Sequence, residues 1–133
     1  MTTELNWLVL SILFSALLWV PYILNRLYEQ GLLKGLWDPD GRIDSEVGWA
    51  NRLMAAHTNA IENLVLFAPL VILLHILNIS TQLTVFACIL YFCARVAHAI
   101  LFTLRVPVLR IVAFLAGFTA QMILVFTLLG WIS

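Results

Sequence analysis

The chain has little charge. Of its 133 residues only 11% are Asp, Glu, Lys or Arg, and seven bases balance seven acids to a net charge of zero. A soluble domain carries about 25% charged residues, and a nucleic-acid footprint needs a surplus of bases. Composition argues against both classes. Cysteine is scarce too, with Cys88 and Cys93 the two present. They stand five apart in one apolar run and share no helical face, so they read as small core hydrophobes rather than a metal or redox pair. The chain also lacks an HExxH, a CxxC, a glycine-rich phosphate loop and a serine–histidine–aspartate order. A cleavable signal is not evident either: the first apolar run begins on acidic Glu4 and is too long for one.

What the chain has in abundance is apolar sequence, 63% of it, with a mean hydropathy of +1.02. Four segments reach the roughly 20 apolar residues that a membrane-spanning helix needs. They cover about 5–25, 50–77, 82–104 and 107–131. Their apolar runs are continuous rather than alternating, which disfavours a barrel. Trp7 and Tyr22 mark the two ends of the first span as interfacial aromatics. The one long connection, roughly 26–48, holds the turn Asp38-Pro39-Asp40-Gly41. The others, at Asn78–Thr81 and Arg105–Pro107, are tight. Short links between successive spans imply antiparallel neighbours. The expected fold is one all-α domain over 1–133, a four-helix transmembrane up-down bundle.

Basic residues give the orientation. Arg26, Lys34, Arg42 and Arg52 flank the long connection, and Arg105 and Arg110 flank the last one. The termini and the Asn78 turn carry no Lys or Arg. By the positive-inside rule the long connection is expected in the cytoplasm and both termini outside.

Polar residues inside the spans are costly and mark function. At about 100° per residue, Arg52, Asn59, Glu62 and Asn63 share a sector of the second span, while His57 points roughly the opposite way. Tyr91, Arg95, His98, Phe102 and Arg105 make a stripe on the third span, and Arg110, Phe114, Gly117 and Gln121 one on the fourth. Ser11, Ser15, Tyr22 and Arg26 are the first span's contribution. Glu62 lies about 15 Å along its helix from Arg52, and Arg95 about 15 Å from Arg105, at 1.5 Å per residue. Opposite charges thus reach matching depth, where an isolated charge costs about 2.5–3.5 kcal/mol or more. Glu62 and Arg95 are expected to pair or to share a ligand. Such a pair can also serve simply to hold helices together. Five arginines around one intramembrane acid, however, suit an anionic guest, since guanidinium forks match carboxylates and phosphates. No metal is expected, because His57 and His98 do not face each other.

These residues resemble a known family. Arg52 followed by AHTNAIEN (Ala56–Asn63), then Arg95-Val96-Ala97-His98, then the Pro107–Arg110 turn, is similar to the MAPEG family, membrane-associated proteins of eicosanoid and glutathione metabolism. The resemblance covers nearly the whole chain and is nearest to short bacterial members. It implies a homotrimer in the bacterial inner membrane, with glutathione bound as co-substrate between subunits at the cytoplasmic side. It assigns glutathione contacts to Arg26, Asn59, Glu62, Arg95 and His98, with Arg52 and Phe102 in the same lining. Arg110 is the candidate for stabilising the thiolate. The implied activity is that of a glutathione transferase or peroxidase on lipophilic electrophiles. The alternative is a non-catalytic member binding lipid or a lipid-like anion in the same cavity. Tyrosines that catalytic relatives often carry are replaced by Phe102 and Phe114.

Overall fold

The computed structural model describes residues 1–39, 41 and 45–133. These form α1 (Thr3–Leu17), α2 (Trp19–Gln30), α3 (Leu32–Leu36), α4 (Gly48–Ile76), α5 (Gln82–Thr103) and α6 (Pro107–Leu128), with no strand among the described residues. Four segments are long and apolar enough to cross a membrane: α1 with α2, α4, α5 and α6. The chain is an all-helical, multi-pass membrane protein. Arg42, grouped above with the bases of the long connection, and Asp40 of its turn lie outside the described residues.

Helix ends follow from local chemistry. Thr2 caps α1, its hydroxyl accepting from the Leu5 N–H at 3.2 Å, and Thr81 and Thr84 form a reciprocal capping box on α5. The tight links are Schellman turns. After α4, Asn78 adopts φ 57°, its N–H reaching the His75 carbonyl at 3.1 Å and the Ile79 N–H the Leu74 carbonyl at 2.9 Å. Arg105 (φ 63°) repeats the pattern after α5, with Pro107 opening α6 at once. These turns satisfy helix-end carbonyls at the ends of the spans and send the chain straight back.

The first span differs from the uninterrupted 5–25 segment expected. It runs from Thr3 to Gln30 and breaks at Leu18. Pro21 is the cause: it has no N–H for the Leu17 carbonyl, and its ring crowds that turn. Pro69, also inside a helix, leaves α4 continuous. The fourth span ends at Leu128, three residues short of expectation, and the long connection holds the unforeseen one-turn helix α3.

α5 lies against α1, α4 and α6, most extensively against α6, where Ala94 faces Gly117, so backbones approach closely. Two apolar layers result. One centres on Phe67, stacked on Tyr91 at 3.7 Å, with Leu8, Val71 and Leu124. The other gathers Leu18, Tyr22, Leu53, Ala56, Ala60 and Ala99. Cys88 is buried in the first layer as expected, whereas Cys93 is exposed. At the end of the bundle near the termini, Glu4 is buried to 2% exposure. Its carboxylate accepts from the Thr84 hydroxyl at 2.6 Å and the Ser80 hydroxyl at 2.9 Å, and so fastens α1 to the start of α5. Glu4→Ala takes the charged acceptor from both hydroxyls, of which Thr84 keeps the Thr81 carbonyl at 2.9 Å, and is expected to destabilise the bundle by about 1–3 kcal/mol. Thermal unfolding in detergent measures this, and Glu4→Gln should recover part of the loss.

Candidate functional site

Between the two apolar layers lies a polar one. Arg95, on α5, is only 3% exposed. Its Nη2 donates to the Asn59 Oδ1 of α4 and sits 3.3 Å from His98 Nδ1. A guanidinium only donates, so Nδ1 of His98 holds its lone pair and the imidazole proton is on Nε2. Asn63 donates to the Asn59 carbonyl at 2.8 Å, and Gln121 of α6 donates to the Asn63 carbonyl at 3.1 Å. One chain of hydrogen bonds thus joins α6, α4 and α5.

The guanidinium is left incomplete. Its Nε and Nη1 are buried with no partner among the described residues. Nη1 faces Gly117 of α6, where a Cβ would come within 4.0 Å of it. The Phe114 ring lies 5.9 Å from the Arg95 Cζ. His98 packs beside Phe102 and Phe114 at centroid distances of 5.6 and 6.1 Å, and the Arg110 guanidinium rides on the Phe102 ring at 4.5 Å. Asn59, Arg95, His98, Phe102 and Arg110 therefore meet as one group, two of them cations, with no acid paired to either among the described residues.

The other expected members stand elsewhere. The Glu62–Arg95 ion pair does not form within the chain: Asn59 takes the guanidinium, and Glu62 lies on the exposed face of α4. Helical rise puts the two residues at matching depth, but Asn59, one turn nearer the loop on α4, is the residue that reaches the guanidinium. Arg52 is turned to α5, its Nε donating to the Thr103 carbonyl at 2.9 Å. Arg26, 6% exposed, is ion-paired to Asp38, a partner the sequence reading did not identify, and its Nη1 has none among the described residues. The Asp-Pro-Asp-Gly turn was the available signal, since it places acids close to the end of the first span. His57 points away from Arg95, as helical angles require, and its Nδ1 lies 2.7 Å from the Tyr22 hydroxyl. Among the described residues no group of three or more His, Cys, Asp or Glu could hold a metal.

Residues 7–130 match the sequence model of the MAPEG family. Comparison with curated proteins and with solved structures returned no match.

Proposed function

The chain belongs to the MAPEG family, and on that premise we propose that it binds glutathione at the Arg95 group and joins the thiolate to lipophilic electrophiles. The observation that carries this reading is the buried, half-satisfied guanidinium of Arg95 beside a second cation, Arg110. A charge at this depth is costly unless it is compensated, and an anion with oxygen acceptors supplies both the charge and the missing hydrogen bonds. Glutathione has two carboxylates, one ammonium and one thiol. Arg95 and Asn59 hold a carboxylate or peptide carbonyl, and Glu62 suits the ammonium. Arg110 lies against the sulfur, where a cation lowers the thiol pKa below its ordinary value of about 8.5. The thiolate then attacks the electrophilic carbon. A C–S bond forms, and the bond to the leaving group breaks with its electron pair.

Glu62 also bears on assembly. A carboxylate on the exposed face of a spanning helix is costly in lipid, and covering that face with a second copy of the chain, as a homotrimer would, relieves the cost. The long connection is placed in the cytoplasm with the glutathione supply, and Arg26 reaches a glutathione carboxylate from that end. Asp38 holds Arg26 in the free protein and competes with such a ligand. Asp38→Asn is expected to raise glutathione affinity about 1.5- to 5-fold, the scale of a partly exposed ion pair. An unchanged affinity would remove Arg26 from the site.

Phe102 and Phe114 favour a second reading. Both present a hydrocarbon edge beside His98 where a hydroxyl would donate to sulfur, which suits a non-catalytic protein holding a lipid-like anion. Detergent-purified protein distinguishes the two: glutathione binding by calorimetry is measured beside conjugation of chlorodinitrobenzene, with chloride as leaving group. Binding with turnover supports the transferase, and binding without turnover the second reading. Absence of binding discards the glutathione site.

A further inference from the structure

A different face of α5 carries a second feature. Ile100 lies about 140° round that helix from Arg95, at 100° per residue. It borders a groove of about 290 Å³ between the first span, α4 and α5, whose apolar walls include Phe14, Leu18, Pro21, Leu53 and Ala99. The break at Leu18 shapes this groove. Ile100 is half-exposed and Leu104 more so, so the groove opens sideways, onto the face that meets the bilayer. α6 contributes no wall to it.

The groove wall itself is apolar, and polar groups flank its end toward the long connection in an unbalanced way. Trp49 and Thr103 line it, and the Thr103 hydroxyl is buried without a partner among the described residues. Arg52 is held there by its bond to the Thr103 carbonyl. Its guanidinium lies over the start of α4, so close that a Cβ on Gly48 would stand 2.8 Å from Nη1. That helix start has no side-chain cap and no acid in its first turn. A cation is thus held against the positive end of a 29-residue helix, an arrangement the helix dipole disfavours. Among the described residues no acid is ion-paired to Arg52. Two positive poles and an unmatched hydroxyl sit at the mouth of an apolar, laterally open groove.

We propose that this groove holds one anionic phospholipid, its phosphate on Arg52 and the N–H groups at the start of α4, and one acyl chain along Leu53, Ala99 and Leu18 toward Phe14. Charge selects the occupant. A zwitterionic headgroup brings its own cation to a place that already has two positive poles, and a lipid without charge relieves neither. This site needs no residue of the Arg95 group, so its Arg52 is assigned to lipid rather than to glutathione.

The test uses the full chain, delipidated in detergent, with thermal unfolding followed on adding phosphatidylglycerol, phosphatidylcholine or oleate. Phosphatidylglycerol is expected to raise the midpoint by about 4 °C or more, the scale of ligand linkage for a chain of this size, and phosphatidylcholine by far less. Arg52→Gln should abolish the rise. Ile100→Trp, at the exposed edge of the groove, should reduce it by blocking the chain without disturbing the core. Equal shifts with both phospholipids, or an undiminished shift in Arg52→Gln, would overturn the proposal. Loss in Arg52→Gln with no change in Ile100→Trp would overturn the acyl groove. An effect from oleate alone would overturn the phospholipid. If Arg52→Gln itself unfolds the protein, native mass spectrometry of the Ile100→Trp protein decides, since retained phosphatidylglycerol at wild-type occupancy would refute the site.

Discussion

Arg95→Met is expected to lower glutathione affinity about 100-fold while the bundle stays folded. Arg95 has two buried donors without a partner, and each charge-assisted hydrogen bond to a ligand is worth about 1.5–3 kcal/mol. Losing two of them costs about 3 kcal/mol or more, which is at least two orders of magnitude in affinity. Methionine matches the length of the stem and removes a buried charge that no acid among the described residues pairs with, so stability should hold or improve. Asn59 loses its guanidinium partner, but its Oδ1 keeps the weaker Asn63 amide at 3.3 Å. Calorimetric titration measures the affinity, and thermal unfolding of the same sample reports the fold. Arg95→Lys should fall between, because lysine keeps the charge and loses the planar fork. An unchanged affinity in Arg95→Met would place the anion elsewhere. A collapse of the fold would make Arg95 a structural pin between α4 and α5.

Arg110→Ala is expected to cut turnover at saturating glutathione about 100-fold while changing affinity less than about 3-fold, as for removal of a donor aimed at developing charge. Arg110 sits at the start of α6, half-buried, and its guanidinium rests on the Phe102 ring without a hydrogen bond among the described residues. Its charge is available to a sulfur anion, and in the proposed reading Arg95 holds the rest of the ligand. The ultraviolet absorbance of bound thiolate gives an independent reading, and it should disappear in the variant at neutral pH. Arg110→Lys should restore part of both signals. Equal losses of affinity and turnover in Arg110→Ala would make Arg110 a binding residue instead.

Hydrophobicity, helical periodicity and turn chemistry are properties of short stretches, and they were readable in this chain. Four spans, tight turns at Asn78 and Arg105, and the direction of His57 all follow from residues within a turn or two of one another. So does the sharing of one face by Asn59 and Asn63. The same local physics contained the break at Leu18, since Pro21 removes one helix bond, although continuous hydropathy concealed it. Partners across helices were a different matter. Depth along two helices brought Glu62 and Arg95 level, but the rotation of α4 and its crossing with α5 put Asn59 at the guanidinium and left Glu62 outside. Arg26 found Asp38 through a connection whose path no periodicity describes.

By itself, then, the sequence determined a multi-pass helical membrane protein with the MAPEG pattern and an excess of arginine toward one side of its spans. Only the tertiary structure decided which nitrogens of those arginines go unmet. A buried donor is satisfied or orphaned by whatever side chain arrives within about 3 Å, and that depends on how whole helices pack. Arg95 remains half-satisfied because Gly117 and Phe114 of α6 bring no acceptor to it, and AHTNAIEN supplies one amide where its carboxylate had been expected.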